Sequence, residues 1–150
     1  MDGQSSDYCQ VVSGVPQGTV MGPILFLIFI NDLPNTVNSP CKLFADDLLI
    51  YRQICNREDE VKLQQDLDKL ALWESRWGMK FHPDKCENIT ITRKKKPLAT
   101  KYTLRGHPLK KVPSTKYLGV TLNNHLDWKE HTDTMVKKAN KTLGFLRRNL

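Results

Sequence analysis

Residues 42–51 read KLFADDLLIY. Two adjacent carboxylates, Asp46 and Asp47, stand in a run whose other members belong in a protein core. An ionised carboxylate buried without a partner is costly, so such groups are paired, neutralised or bound to a metal. Leu43 and Phe44 before the acids and Leu48 to Tyr51 after them predict strand, tight turn, strand, with Asp suited to the turn. An Asp-Asp pair closing a hairpin is often purely structural. The alternative is a site for a hard cation. Carboxylate oxygens at a rigid tip suit Mg²⁺ or Mn²⁺, which bind through one or two carboxylates plus substrate phosphates. A pair of such ions would steady both the attacking and the leaving oxygen of a phosphoryl displacement.

Upstream lies SGVPQGTVMGPILFLIFINDLP, residues 13–34. Gly14 and Gly18 permit backbone conformations closed to other residues and let the chain approach a ligand closely. A loop of this kind opening a helix can present amides to a phosphate or a nucleotide edge, though a GxPxG sequence is also an ordinary turn. Pro23 fits the first helical position, and Pro34 stops a helix from continuing past Leu33. The apolar run Ile24 to Ile30 between them reads as a short, almost wholly buried helix. A short strand is expected at Tyr8 to Val12.

Downstream, Asn56 is a natural N-cap, with Glu58, Asp59 and Glu60 in the first turn where the helix dipole favours anions. Leu63, Leu67, Leu70, Trp73 and Trp77 recur at steps of three and four, and Gly78 supplies the stop. Trp73 and Trp77 read as core rather than base-stacking groups. The following half reads as short strands: Ile89 and Ile91, then Tyr102 and Leu104 before a Gly106-His107-Pro108 turn, then Leu118, Val120 and Leu122 on one strand face. A final helix from about Trp128 carries Met135, Ala139, Leu143, Leu146 and Leu150. These elements predict an α+β fold built from antiparallel hairpins rather than βαβ crossovers.

The chain of 150 residues is about one domain. Its longest apolar run, seven residues, is far short of the roughly 20 needed to span a membrane, and MDGQSSDYCQ is no signal peptide. A cytoplasmic or nuclear location, not secretion, is expected. Cys9, Cys41, Cys55 and Cys86 lack metal-ligand spacing and read as free, mostly buried thiols. His82, His107, His125 and His131 lack the spacing of a helical metal pair. Residues 1–75 carry 5 Lys/Arg against 11 Asp/Glu, and residues 76–150 carry 18 against 5, giving the net +7. Such asymmetry suggests a polyanion bound mainly by the second half, or basic residues that merely keep a surface soluble, and Arg93 to Lys96 reads as a solvated loop.

Taken together, the GVPQG segment and KLFADDLLIY resemble the palm of reverse transcriptases of non-LTR (LINE-type) retrotransposons, most like the jockey group. WESRWGMKFHPDKCE, residues 73–87, resembles the next block of that family, with Lys85 in the position of its lysine and His82 where many relatives carry Asn. KYLGV, residues 116–120, resembles the primer-grip hairpin, and the sequence from Asp127 to Leu150 is similar to the start of the thumb. The resemblance implies a palm-type antiparallel sheet with packed helices over residues 1–122 and the first thumb helix over 123–150.

By residue, the resemblance implies that Asp46 is the metal-binding catalytic carboxylate, with Asp47 its neighbour in a weaker role. Gly14, Pro16, Gln17 and Gly18 would shape the pocket for nucleotide and template base, with Phe44 and Ala45 packed behind the acids. Lys85 would protonate or neutralise the leaving pyrophosphate, and Tyr117, Leu118 and Gly119 would support the primer. The implied reaction transfers a nucleotidyl group from a dNTP to a primer 3′-hydroxyl on an RNA template with Mg²⁺ or Mn²⁺, without membrane involvement. The family's further aspartate lies on an earlier strand, whereas only Asp2 and Asp7 precede Gly14. The chain by itself is therefore expected not to polymerise. A non-catalytic nucleic-acid-binding remnant and an inert reading frame of a decayed element are the alternative readings.

Overall fold

The computed structural model describes residue 14 and residues 18–149. Its organising element is the long helix α2, Arg57–Trp77, which begins and ends as its sequence requires. The Asn56 side chain accepts the Asp59 N–H (3.0 Å), and Asp59 accepts the Cys55 and Asn56 N–H groups, a reciprocal capping box. Hydrogen bonding from the Cys55 amide holds the Asp59 carboxyl below its ordinary range. Gly78 ends the helix at φ 67, a left-handed conformation that glycine adopts without a Cβ clash.

One face of α2 makes the core. Leu67, Leu70 and Trp73 are buried together with Ile30, Leu33 and Tyr102, and Leu63, Leu43, Leu48 and Ile50 pack against them. Helix α1, Met21–Phe29, precedes a 3₁₀ turn at Leu33–Thr36 that holds Pro34 and lays Leu33, 2% exposed, onto α2. Strands β1 (Cys41–Phe44) and β2 (Asp47–Ile50) form the expected hairpin, with Phe44 opposite Asp47. A 3₁₀ turn at Pro83–Lys85 leads into β3 (Glu87–Ile89). Then come β4 (Thr103–Leu104), β5 (His107–Pro108), β6 (Lys110–Val112), β7 (Ser114–Tyr117) and β8 (Val120–Asn123). Helix α3, Lys129–Asn149, closes the described chain.

The fold is α+β, with the strands among the described residues distributed over four separate two-stranded pairs. Three pairs are antiparallel hairpins, but β3 pairs parallel with β6, which corrects the all-hairpin expectation. Its cause is local: β4 and β5 fold as their own hairpin, which returns the chain beside β3 in the same direction. The Gln64 amide docks that hairpin on α2, donating to the Thr103 carbonyl (3.0 Å) and accepting its N–H (2.9 Å).

Helix α1 departs most from expectation. It ends at Phe29 rather than near Pro34, and it is not buried: Ile24, Leu25, Leu27, Ile28 (67%) and Phe29 are exposed, and only Gly22 is covered. A nine-residue helix that is apolar on every side carries more surface than its described neighbours can cover. Phe26 and the trailing Ile30 reach the core, and Phe29 meets Trp73 and Trp77 edge-on. Trp73 is buried and Trp77 is not, so only one of the two is core. The apolar positions of α3, including Met135, Leu143 and Leu146, are also exposed. Cys41, Cys55 and Cys86 are free as expected, but none is fully buried and Cys55 is exposed. The expected strand at Tyr8 to Val12, Cys9 and Leu150 lie outside the described residues.

The periodicity of α2 also hid a polar clamp. Asp66, 1% exposed, accepts the N–H groups of Asn38 (3.0 Å) and Ser39 (2.8 Å), the Ser39 hydroxyl (2.6 Å) and Lys69 Nζ (3.1 Å). Burial alone would raise its pKa, but these donors favour the ionised form and hold it at about 2 against an ordinary 3.8. Because the folded value is the lower one, the clamp stabilises the fold above about pH 4, and that contribution is lost as pH falls through 2. Denaturant titrations from pH 7 to pH 2 are expected to show a loss on the order of 2 kcal/mol in that window. Asp66→Asn should lack that loss and be less stable at pH 7; an unchanged acid profile in the variant would contradict the assignment.

Candidate functional site

The acid pair occupies the tip of the β1–β2 hairpin. Alternation along the strands sends Leu43, Leu48 and Ile50 toward α2 and leaves Lys42, Phe44, Asp47 and Leu49 on the opposite face. Ala45 and Asp46 are the two turn residues between Phe44 and Asp47. Ala45, not an aspartate, takes the left-handed conformation, at φ 50. The pair is not buried as the run of apolar neighbours suggested. Asp46 and Asp47 are both exposed, and neither carboxylate makes a hydrogen bond or ion pair with another described residue. Phe44 is 62% exposed beside them.

The hairpin is held at its base instead. The Tyr51 N–H donates to the Pro40 carbonyl (3.0 Å), and Arg52 Nε donates to Ser39 Oγ (2.9 Å). Ser39 is the residue that Asp66 grips from α2. Two carboxylates therefore project from a short, rooted lever with all their oxygens free. Hard oxygen donors of this kind fit a divalent cation of the Mg²⁺ or Mn²⁺ type. Among the described residues no group of three or more His, Cys, Asp or Glu side chains gathers at one place.

The glycines of the upstream loop adopt left-handed backbone, Gly14 at φ 97 and Gly18 at φ 83, where any side chain would be strained. Pro16 and Gln17 lie outside the described residues. Just after the loop, the Thr19 hydroxyl accepts the Gly22 N–H (3.1 Å) in the first turn of α1.

Lys85 ends its 3₁₀ turn exposed, its N–H donating to the His82 carbonyl (3.0 Å). The segment leading to it is fixed by a second buried acid of α2. Glu74, 2% exposed, accepts the Phe81 N–H (3.0 Å) and Arg105 Nη1 (3.1 Å) through Oε1. Immediately after Lys85, Glu87 accepts the Thr115 hydroxyl (2.7 Å), which ties this segment to the β7–β8 hairpin. Tyr117 and Val120 pair at the end of that hairpin, with Leu118 (φ 46) and Gly119 (φ 85) as its turn. Positive φ at both central residues is the type I′ pattern. Leu118 thus leaves the strand face that alternation assigned to it.

The structure joins Phe44, Ala45, Asp46 and Asp47 in one hairpin and Tyr117, Leu118 and Gly119 in another. No hydrogen bond or ion pair among the described residues links those two turns or either of them to Lys85. Asp66 and Glu74, which root two of these segments, had no place in the sequence reading. Their spacing around Leu70 carried the signal: steps of four through 66, 70 and 74 put both acids beside the apolar stripe.

Comparison with known proteins decides the family. The family model for reverse transcriptase (RNA-dependent DNA polymerase) matches residues 1–122. The chain belongs to the reverse transcriptase family. It is 35% identical over 145 residues to a probable RNA-directed DNA polymerase from transposon BS of Drosophila melanogaster, covering 90% of this chain and 16% of that protein. It is 32% identical over 144 residues to the RNA-directed DNA polymerase from mobile element jockey of Drosophila funebris, covering 89% of this chain and 16% of the relative. A jockey polymerase of Drosophila melanogaster matches 95% of the chain at 28% identity. The resemblance to jockey-like non-LTR elements is thereby borne out, and this reverse transcriptase chain spans about one sixth of the length of these relatives. No solved structure matches it.

Leucine at φ 46 is disfavoured by roughly 1–2 kcal/mol, and Leu118 is 46% exposed, so packing returns little of that. Leu118→Asn is expected to raise stability by about 1 kcal/mol in urea unfolding, since Asn-Gly suits a type I′ turn. A destabilised variant would show that Leu118 is held by packing rather than retained under strain.

Proposed function

We propose that this chain is the palm segment bearing the catalytic hairpin of a retrotransposon RNA-directed DNA polymerase. The observation that carries the proposal is the free Asp46–Asp47 pair on a hairpin rooted by Asp66, in a chain of the reverse transcriptase family. The reaction would be template-directed transfer of a nucleotidyl group from a dNTP to a primer 3′-hydroxyl, within the larger polymerase. Such chemistry rests on positioning and electrostatics more than on covalent participation by the protein. Asp46, with Asp47 beside it, would hold Mg²⁺ or Mn²⁺, whose charge would stabilise the attacking and leaving oxygens. A further carboxylate from outside the described residues would complete the metal-binding set.

The chain's own groups take the remaining roles. Gly14, Pro16, Gln17 and Gly18 would border the nucleotide and template base. Phe44 and Ala45 would set the height of the acids relative to the primer end, Tyr117 to Gly119 would support the primer strand, and Lys85 would neutralise or protonate the departing pyrophosphate. The end of the family match at residue 122 and the start of α3 at Lys129 support a division into partial palm (1–122) and thumb start (123–150). Among the described residues no helix is long and apolar enough to cross a membrane. A polymerase of this kind would work on its RNA template and DNA primer in cytoplasm or nucleus.

Primer extension on an RNA template tests the reading. The chain alone is expected to incorporate nothing. In the longer polymerase carrying this segment, Asp46→Asn is expected to cut incorporation by at least ~10²-fold, the scale of losing one preorganised charged group. Wild-type extension by the longer polymerase carrying Asp46→Asn would overturn it.

A further inference from the structure

The second half of the chain carries its charge unpaired. Of its 18 Lys/Arg residues, Arg105 alone makes an ion pair among the described residues, and its partner Glu74 belongs to the first half. The first half behaves differently: Arg57, Lys62 and Lys69 are matched with Glu60, Glu58 and Asp66 along α2. Acids that lie near the unpaired bases are spent on neutral donors. Glu87 takes the Thr115 hydroxyl (2.7 Å), Glu130 takes the Ser114 hydroxyl (3.0 Å), and Asp127 takes the Lys129 N–H (3.1 Å).

The backbone places one group of these bases on adjoining segments. Residues Glu87–Ile89 run parallel to Lys110–Val112, with Glu87 opposite Lys110 and Asn88 opposite Lys111. Beyond that pairing, the Thr92 N–H donates to the Asn124 carbonyl (3.3 Å), and the Asn124 N–H donates to the Pro113 carbonyl (2.9 Å). Arg93 to Lys96 therefore leave the sheet just past the end of the strand that holds Lys110 and Lys111. All six side chains are exposed. Asp84 lines the cleft beside Lys110 but sits with His82 (4.0 Å).

We propose that Arg93, Lys94, Lys95, Lys96, Lys110 and Lys111 form a phosphate-backbone contact surface for nucleic acid, separate from the Asp46–Asp47 hairpin. Six unmatched cations on a loop and an adjoining strand suit a partner with closely spaced negative charges. Phosphate contacts of this kind position a strand without reading its bases, so the contact is expected to be independent of sequence. The inference deepens the polymerase reading and rests on it only for the identity of the strand bound. Binding displaces counterions, which makes salt the diagnostic variable.

Fluorescence anisotropy of the 150-residue chain with an RNA–DNA duplex, from about 50 to about 200 mM KCl, tests it. Replacing Arg93, Lys94, Lys95 and Lys96 with Ser is expected to weaken binding about 10²-fold at the low-salt end and flatten the log–log salt slope by about 3 to 4. Two unrelated duplex sequences should lose equally. The same four-charge removal on α3, at Lys137, Lys138, Lys141 and Arg148, should cost less. Circular dichroism melting checks that each variant folds, and Lys110→Ser with Lys111→Ser gives an independent second arm, expected to flatten the slope by about 1 to 2. Asp46→Asn should leave this binding intact in the 150-residue chain while failing in primer extension in the longer polymerase, so the two readings fail separately. Equal losses for the loop and α3 variants, a salt-independent affinity, or binding to anionic phospholipid vesicles but not to the duplex would each overturn the proposal.

Discussion

Asp66 accepts four hydrogen bonds inside the structure, and the placement of the β1–β2 hairpin follows from them. A buried carboxylate on the core face of a helix is unfavourable until donors satisfy it. Three of the four bonds come from Asn38 and Ser39, just before the chain enters β1, and the fourth comes from Lys69 on α2 itself. Ionisation of Asp66 and docking of the hairpin base are thus the same event. Eight residues further along α2, about 12 Å at helical rise, Glu74 accepts the Phe81 N–H through Oε1 on the way to Lys85. One helix sets the positions of both segments through two buried acids.

The consequence is a division of labour along each segment. Apolar residues and buried acids hold the bases, while the turns carry free polar groups and backbone strain. Ala45 and Leu118 are both left-handed without being glycine, and each sits in a two-residue turn. Strain of this sort persists only where the surroundings over-determine it, and paired strands on either side supply that here. A turn relaxed by glycine or asparagine would gain stability while losing a fixed presentation of its neighbours.

Much of this was legible in the sequence. Helix α2 could be read from its cap, its apolar steps and Gly78, because each of those signals is local. The KLFADDLLIY hairpin and the family were legible for the same reason. The acids of α2 were not, since a carboxylate beside an apolar stripe looks solvated until a distant segment arrives to donate to it. Nor was the exposure of α1: ILFLIFI announces burial, but burial depends on what covers it, and the described neighbours reach only Phe26, Phe29 and Ile30. The parallel β3–β6 pair was hidden because it depends on an intervening hairpin rather than on either strand.

On this structure Asp46 and Asp47 present a free pair of hard oxygen donors at the tip of a rooted hairpin. Paramagnetic broadening by sub-stoichiometric Mn²⁺ in the amide spectrum of the ¹⁵N-labelled chain tests this directly. Broadening should centre on Ala45, Asp46 and Asp47, reverse on adding excess Mg²⁺, and disappear from those amides in Asp46→Asn. Broadening that spares the hairpin, or that persists there unchanged in the variant, would contradict the account.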